Sequence, residues 1–329
     1  MAASSLSTEV ARRFRGRARW TPLEIAFWLV AAASIYFLPT RHLILTEIAI
    51  LALFALSLDL ILGYAGIISL GHAAFFGFGG YAAGLLAKHA LVTEPALALV
   101  VAGVAAALLG FVTSFLVLRG SDLTRLMVTL GVALVLREIA NRYSDLTGGA
   151  DGLQGIAMAP LLGTFRFDMF GHTAYVYSLV VLFVLFVIAR RIVRSPFGLS
   201  LRSIKGNSLR ASAIGIPVDR RLIAIYTVAA FYAGVAGALL TQTTAFASLD
   251  VFSFERSADL LLVLIIGGTG YLYGGMIGAV VFKLMQDYLA HVTPQYWQFW
   301  LGLMLVIIVL IRRERIARFF GAARRLIGQ

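Results

Sequence analysis

LDLILGYAGIISLGHAAFFGFGGY, residues Leu58 to Tyr81, is apolar enough to lie in a bilayer, yet six glycines (Gly63, Gly66, Gly71, Gly77, Gly79 and Gly80) sit among its aromatics. Each glycine in a helix interior costs roughly 1 kcal/mol relative to alanine. So dense a cluster therefore needs a use. One use is close packing, since small residues let membrane helices approach. The other is a discontinuous helix whose backbone groups and helix ends line a polar pathway. On that second reading Gly66, Ser69, Gly71 and His72 are pathway residues, with Ser69 and His72 supplying side-chain hydrogen bonds. A histidine at membrane depth is a functional candidate by default. A hydrogen bond tying two helices together explains it equally well.

The rest of the chain has the same character. Of its 329 residues 60% are hydrophobic and 13% charged, and the mean hydropathy is +0.90. That composition excludes a soluble enzyme. At ~20 residues per crossing there is room for about ten membrane elements. With no cysteine, disulfides, thiolate metal sites and cysteine nucleophiles drop out.

The formal charge of +12 invites a nucleic-acid reading, but its distribution points elsewhere. Of 28 Lys and Arg, five lie between Arg12 and Arg19, eight between Arg190 and Arg221, and six between Arg312 and Arg325. Basic residues gather in cytoplasmic loops. The expected layout is thus a cytoplasmic N-terminus (1–22), a transmembrane domain (23–312) with a cytoplasmic loop at 190–221, and a basic amphipathic cytoplasmic tail (313–329). In the tail Ile316, Phe319, Ala323 and Leu326 share a face, as an interfacial helix at the lipid surface would.

Along the chain the expected spans are 25–39, 43–62, 68–87, 95–118, 122–140, 173–189, 222–245, two short elements within 259–289, and 296–312. The first is read as an uncleaved helix because apolar spans continue to Ile311. The polar stretch 141–172 is the longest candidate for the outer surface. The pair within 259–289 is cut by Gly267, Gly268 and Gly270, and Gly267, Gly268 and Thr269 join the candidate pathway. The fold class is an all-α polytopic bundle of about ten elements, some broken or re-entrant, since irregular backbone at membrane depth must be buried in protein or line a cavity.

The loop SPFGLSLRSIKGNSLRASAIGI (195–216) is the second constellation. Ser195 and Pro196 make an N-cap and first helical position. Phe197, Leu201, Ile204 and Ser208 fall at helical spacing. Gly206 and Asn207 interrupt the helix, a second short one follows, and Gly215 with Pro217 stops it. A basic loop of this kind also suits anionic headgroups.

The chain holds no GxxxxGK[ST] phosphate loop, and none of its three lysines (Lys88, Lys205, Lys283) has that context. Its five histidines show no metal-ligand spacing and no GxSxG elbow exists. No catalytic or metal residue is expected. Among the acids, Glu47 and Asp59 are 12 residues apart on one helix, about 120° apart around it, and so do not form a paired ion site. Glu138 and Arg142 read as a satisfied pair. An ion-coupled secondary transporter, the rival class, would be expected to bury better-placed charges.

GYAGIISLGHAAFFGFGGY (63–81), LTGGADGLQGI (146–156), SPFGLSLRSIKGNSLRASAIGI (195–216) and IIGGTGYLYGG (265–275) appear in the order found in LivM-type permeases of branched-chain amino acid ABC importers. The resemblance covers about 45–312; the GHAAF and FG…LR.I blocks are its specific parts. It implies a multi-pass subunit of the bacterial inner membrane. Its implied partners are a LivH-like second permease, two cytoplasmic ATPases that use ATP and Mg, and a periplasmic binding protein. The helices at 196–214 would dock on the ATPase, through Phe197, Gly198, Leu201, Arg202, Ile204, Ala211 and Gly215. This chain would bind no cofactor itself. Family members often carry glutamate where this chain has Gly206 and Ser208. The same family serves urea, amide and aromatic-acid importers.

Overall fold

The computed structural model describes residues 20–168 and 170–292, with Pro294–Tyr296, Phe299, Trp300, Gly302, Leu303 and Val306. The chain divides into two compact units, Met1–Ala279 and Val280–Gln329. The basic N-terminal arm and the basic tail lie outside the described residues, as does most of the expected span 296–312. Each of the nine other expected membrane elements is a helix. They are α1 (Pro22–Phe37), α2 (His42–Leu62), α3 (Ala73–Lys88), α4 (Pro95–Val117), α5 (Asp122–Arg142) and α6 (His172–Arg194). Two short helices, α7 (Pro196–Gly206) and α8 (Ser208–Ala213), precede α9 (Val218–Thr244), α10 (Phe254–Gly267) and α11 (Leu272–Val292). Among the described residues there is no β-strand beyond isolated bridges. Four helical segments (Pro39–Leu62, α4, α6 and α9) are individually long and apolar enough to cross a bilayer; α10 and α11, bent by 111° at their break, together make a fifth.

α2 is apolar on every side, as a helix enclosed by others must be, and its residues from Ala52 to Ile61 are all buried. α9 lies beside it and packs against α2, α3 and α4. At 27 residues and 1.5 Å rise it is about 40 Å long.

Small residues set these contacts. On α4 the inward stripe is Ala98, Ala102, Ala106, Gly110 and Ser114, four residues apart, while Leu97, Val104, Leu108, Val112 and Phe115 face outward. A side chain on Gly110 would run into Ala230 of α9, and one on Gly234 into Ala106. A Cβ on Gly237 of α9 would collide with the Phe76 carbonyl of α3, and one on Gly79 with the backbone of Gly234. Without a hydrophobic force between helices in lipid, such close van der Waals approach is what holds them.

α1 is fastened by charge. Thr21 and Glu24 form a capping box, and the Glu24 carboxylate also accepts from Arg190 at 2.8 Å and Arg194 at 3.2 Å, both on α6. The Trp20 ring covers the Arg190 guanidinium at 4.1 Å.

The polar stretch 141–172 is only partly the open loop expected. Leu153 donates to the Ala247 carbonyl at 2.7 Å and accepts from the Ala247 amide at 3.3 Å. Leu153 is fully buried and Ile156 nearly so, both against Gly84 of α3. The segment thus seals the end of α9 remote from α7 and α8. Glu138 and Arg142, expected to pair, are exposed, and among the described residues no ion pair joins them.

Candidate functional site

α2 ends at Leu62 and α3 starts at Ala73; the ten residues between are the break foreseen in the glycine cluster. The end of α2 is closed by a hydrogen bond from the Ile67 amide to the Ile61 carbonyl at 3.0 Å, with Gly66 at φ +77°. This is the left-handed closure that favours glycine.

Three other elements take up the exposed backbone of the break. The Leu70 amide donates to Thr129 Oγ1 of α5 at 3.3 Å. The Ala73 amide, an orphan donor at the start of α3, donates to Ser257 Oγ of α10 at 3.1 Å. The Gly63 carbonyl accepts from Lys205 Nζ of α7 at 2.7 Å. Gly71 passes so close to the Thr129 carbonyl that any side chain there would overlap it. Irregular backbone survives here because it is enclosed in protein.

The polar side chains of the break lie inside. Ser69 and His72 are both fully buried. His72 shares a 2.8 Å hydrogen bond with Ser57 Oγ of α2, and its ring stacks on Phe54 with centroids 5.7 Å apart. Among the described residues, Ser69 Oγ and His72 Nδ1 have no hydrogen-bond partner, and neither has Asp59 Oδ2 nearby on α2. Buried polar atoms are rarely left unpaired.

The second break, Gly268 to Tyr271, lies between α10 and α11. Gly268 (φ +101°) and Gly270 (φ +77°) have conformations reserved for glycine. The Gly270 amide donates to Asp59 Oδ1 at 2.7 Å, so the two breaks touch. Of the pathway residues expected from sequence, Gly66, Ser69, Gly71 and His72 belong to the first break. Gly268 and Thr269 belong to the second, and Gly267 is the last residue of α10 before it. Asp59, which joins them, bears no sequence signal of this role, because its partner is the backbone amide of Gly270.

α7 and α8 form as the capping signals require: Ser195 Oγ accepts from the Gly198 amide, and Asn207 Oδ1 from the Arg210 amide at 2.9 Å. The expected coupling residues divide by direction. Gly198, Leu201, Ile204 and Ala211 are buried and seat the pair. Phe197 lies under the Arg221 guanidinium at 5.1 Å. Arg202 covers the Tyr64 ring at 5.2 Å, which turns it towards the break. Gly215 has φ +86° and closes α8. The outward apolar residues are ones that helical spacing did not single out: Leu209 is 83% exposed and Ile214 70%.

Among the described residues no group of three His, Cys, Asp or Glu is placed to hold a metal ion. The family model of the branched-chain amino acid transport system / permease component matches residues 41–309. The high-affinity branched-chain amino acid transport system permease protein LivM of Escherichia coli (strain K12) is 27% identical over 314 residues, covering 87% of this chain and 72% of that protein. The galactose/methyl galactoside import permease protein MglC of Haemophilus influenzae is 24% identical over 64% of this chain and 65% of its own. The ribose import permease protein RbsC of Bacillus subtilis is 27% identical over 58% of this chain and 60% of its own. No solved structure matches. A bundle with two glycine breaks that meet and a family match running across both places the chain in the branched-chain amino acid permease family of ABC transporters, as a multi-pass, LivM-type transport subunit.

Proposed function

We propose that the chain forms half of the translocation pathway of an importer, and that ATP hydrolysed with Mg by two partner ATPases moves α7 and α8. The observation that carries this reading is the two-sided build of that pair. Its inner side holds the first break through Lys205 and Arg202, while its outer side exposes Leu209 and Ile214. Two large apolar residues this open on one short polar connection are what a protein partner would cover; singly scattered ones would need no explanation. The basic residues around them support a cytoplasmic side for α7, α8 and both termini by the positive-inside rule. The second half of the pathway is a LivH-like permease, and a periplasmic binding protein delivers the solute.

The solute is a branched-chain amino acid on this reading, because the LivM likeness spans more of the chain than the sugar-permease likenesses do. Urea, amides and aromatic acids are the alternatives. Ser69, His72 and Asp59 offer unpartnered polar atoms at the breaks, sealed from solvent in this conformation. They are the groups a polar solute would meet once the breaks part.

The test is a mild-detergent pull-down of the tagged chain from its native membrane, with mass spectrometry of its partners and an ATPase assay. Recovery of a second permease and ATPases supports the importer. Recovery of the chain alone, with ion-driven uptake in liposomes, overturns it in favour of a secondary transporter.

A further inference from the structure

We infer that Asp59 and Lys205 form a clasp through which α7 acts on both glycine breaks at once. The inference rests on the proposed docking of α7 and α8 to an ATPase and adds the route by which their movement enters the membrane. Asp59 is on the last turn of α2 and fully buried. Its Oδ1 takes the amide of Gly270, 211 residues further along the chain. One turn beyond Asp59, the Gly63 carbonyl takes Lys205 Nζ. Gly63 is wedged so tightly that a Cβ on it would collide with both Asp59 Oδ1 and the Gly270 amide. The Lys205 stem lies along the break too, since a Cβ on Gly66 would stand 3.0 Å from its Cγ.

Helix α7, the end of α2 and the α10–α11 turn therefore meet at Gly63, where the Gly63 and Gly270 backbones approach directly and α7 reaches in through the Lys205 side chain. The Lys205 bond carries a formal charge on its donor and is of the stronger kind. An acidic side chain this deep in a membrane bundle is costly and needs a reason. Fixing Gly270 is one that packing alone does not require. A shift of α7 that draws on the Gly63 carbonyl must carry the Gly270 turn with it or break the Asp59 bond. Packed elements of this sort switch between discrete arrangements rather than bend. Asp59 and Lys205 are thus positioning residues that open the two breaks together.

The experiment uses the complete importer in nanodiscs, with Thr269→Cys as the reporter in a chain that has no other cysteine. Maleimide alkylation at position 269 is read by mass spectrometry in the nucleotide-free and vanadate-trapped states. With the clasp intact, the two states differ in alkylation rate by about fivefold or more, the lower end of ordinary coupling between sites. Adding Lys205→Met removes that difference while the ATPases stay bound and hydrolyse ATP, and Asp59→Ala removes it too. Asp59→Asn keeps an acceptor for Gly270 and retains the difference. Should Asp59→Ala not fold, Lys205→Met on the exposed helix decides. A state difference that survives Lys205→Met overturns the clasp, as does a reporter that never changes while ATP is hydrolysed. Failure of the unsubstituted chain to retain any ATPase instead removes the docking reading, and the clasp falls with it.

Discussion

Glu24 and Arg190, 166 residues apart in sequence, meet at 2.8 Å with side chains only 9% and 6% exposed. Arg194 closes on the other Glu24 oxygen. Breaking a buried pair by removing one partner typically costs about 3–5 kcal/mol. Glu24→Ala is therefore expected to release α1 from α6, with a clear fall in the thermal midpoint of the detergent-solubilised protein. An unchanged midpoint and unchanged proteolysis of the α1 segment would mean that the cluster holds nothing.

The small-residue contacts make a paired prediction. A Cβ on Gly237 would collide with the Phe76 carbonyl, whereas one on Gly131 of α5 would meet nothing within 4 Å. Overpacking costs typically about 1–3 kcal/mol, while glycine to alanine in an uncrowded helix gains up to about 1 kcal/mol. Gly237→Ala should lower the midpoint and Gly131→Ala should leave it alone or raise it. Equal effects at the two positions would show that helix approach is not what these glycines serve.

Exposed and buried residues of the α7–α8 pair separate docking from folding. Leu209→Glu and Ile214→Glu alter side chains that touch water in the isolated chain, so expression and midpoint should stay as they are while recovery of the ATPases falls severalfold. Leu201, fully buried, should behave the other way: Leu201→Ala costs about 2–5 kcal/mol as a core truncation and lowers the yield of folded protein. ATPase recovery undiminished in both glutamate variants would remove these two residues from the contact.

Acid should act on the start of α6. Partial burial works to raise the Asp168 carboxyl. The amides of Thr173 at 2.8 Å and His172 at 3.1 Å, with the further hydrogen bonds at that turn, outweigh it and hold the group below its ordinary value. A carboxyl depressed in the folded state contributes stability above its unfolded value, near 3.9, and that contribution is lost as pH falls through the folded value. The protection factor of the Thr173 amide is expected to drop below about pH 4, and in Asp168→Ala to be low at every pH. A protection factor that ignores both changes would detach the carboxylate from the helix start.

The helices were legible in sequence because their signals are local. Apolar length marked α2, α4, α6 and α9, and Ser195 with Pro196 marked the start of α7. Both breaks were legible for the same reason, since glycine clusters in apolar segments have few uses. Asp59 was not, because its partner Gly270 offers only a backbone amide and lies 211 residues away; residue type and helical spacing carry no trace of such a bond. Leu209 and Ile214 were passed over because their importance lies in what fails to cover them. The docking of 148–156 against α3 and Ala247 was hidden by its polar composition: Leu153 and Ile156 are isolated among glycines and show no period.

The approach of α7 to the first break can be tested by a covalent bond. A Cβ built on Gly66 lies 3.6 Å from the Cβ of Lys205, inside the range of about 3.5–4.5 Å that disulfides adopt. Gly66 has φ +77°, and a non-glycine residue there costs roughly 1–2 kcal/mol, which a well-packed break should tolerate. Gly66→Cys combined with Lys205→Cys, in a chain with no native cysteine, should therefore form a disulfide rapidly under mild oxidation. Cleavage between α3 and α7 would then leave the two fragments linked until a reductant is added. Two thiols that stay free and separately alkylated would mean that α7 does not rest on the break.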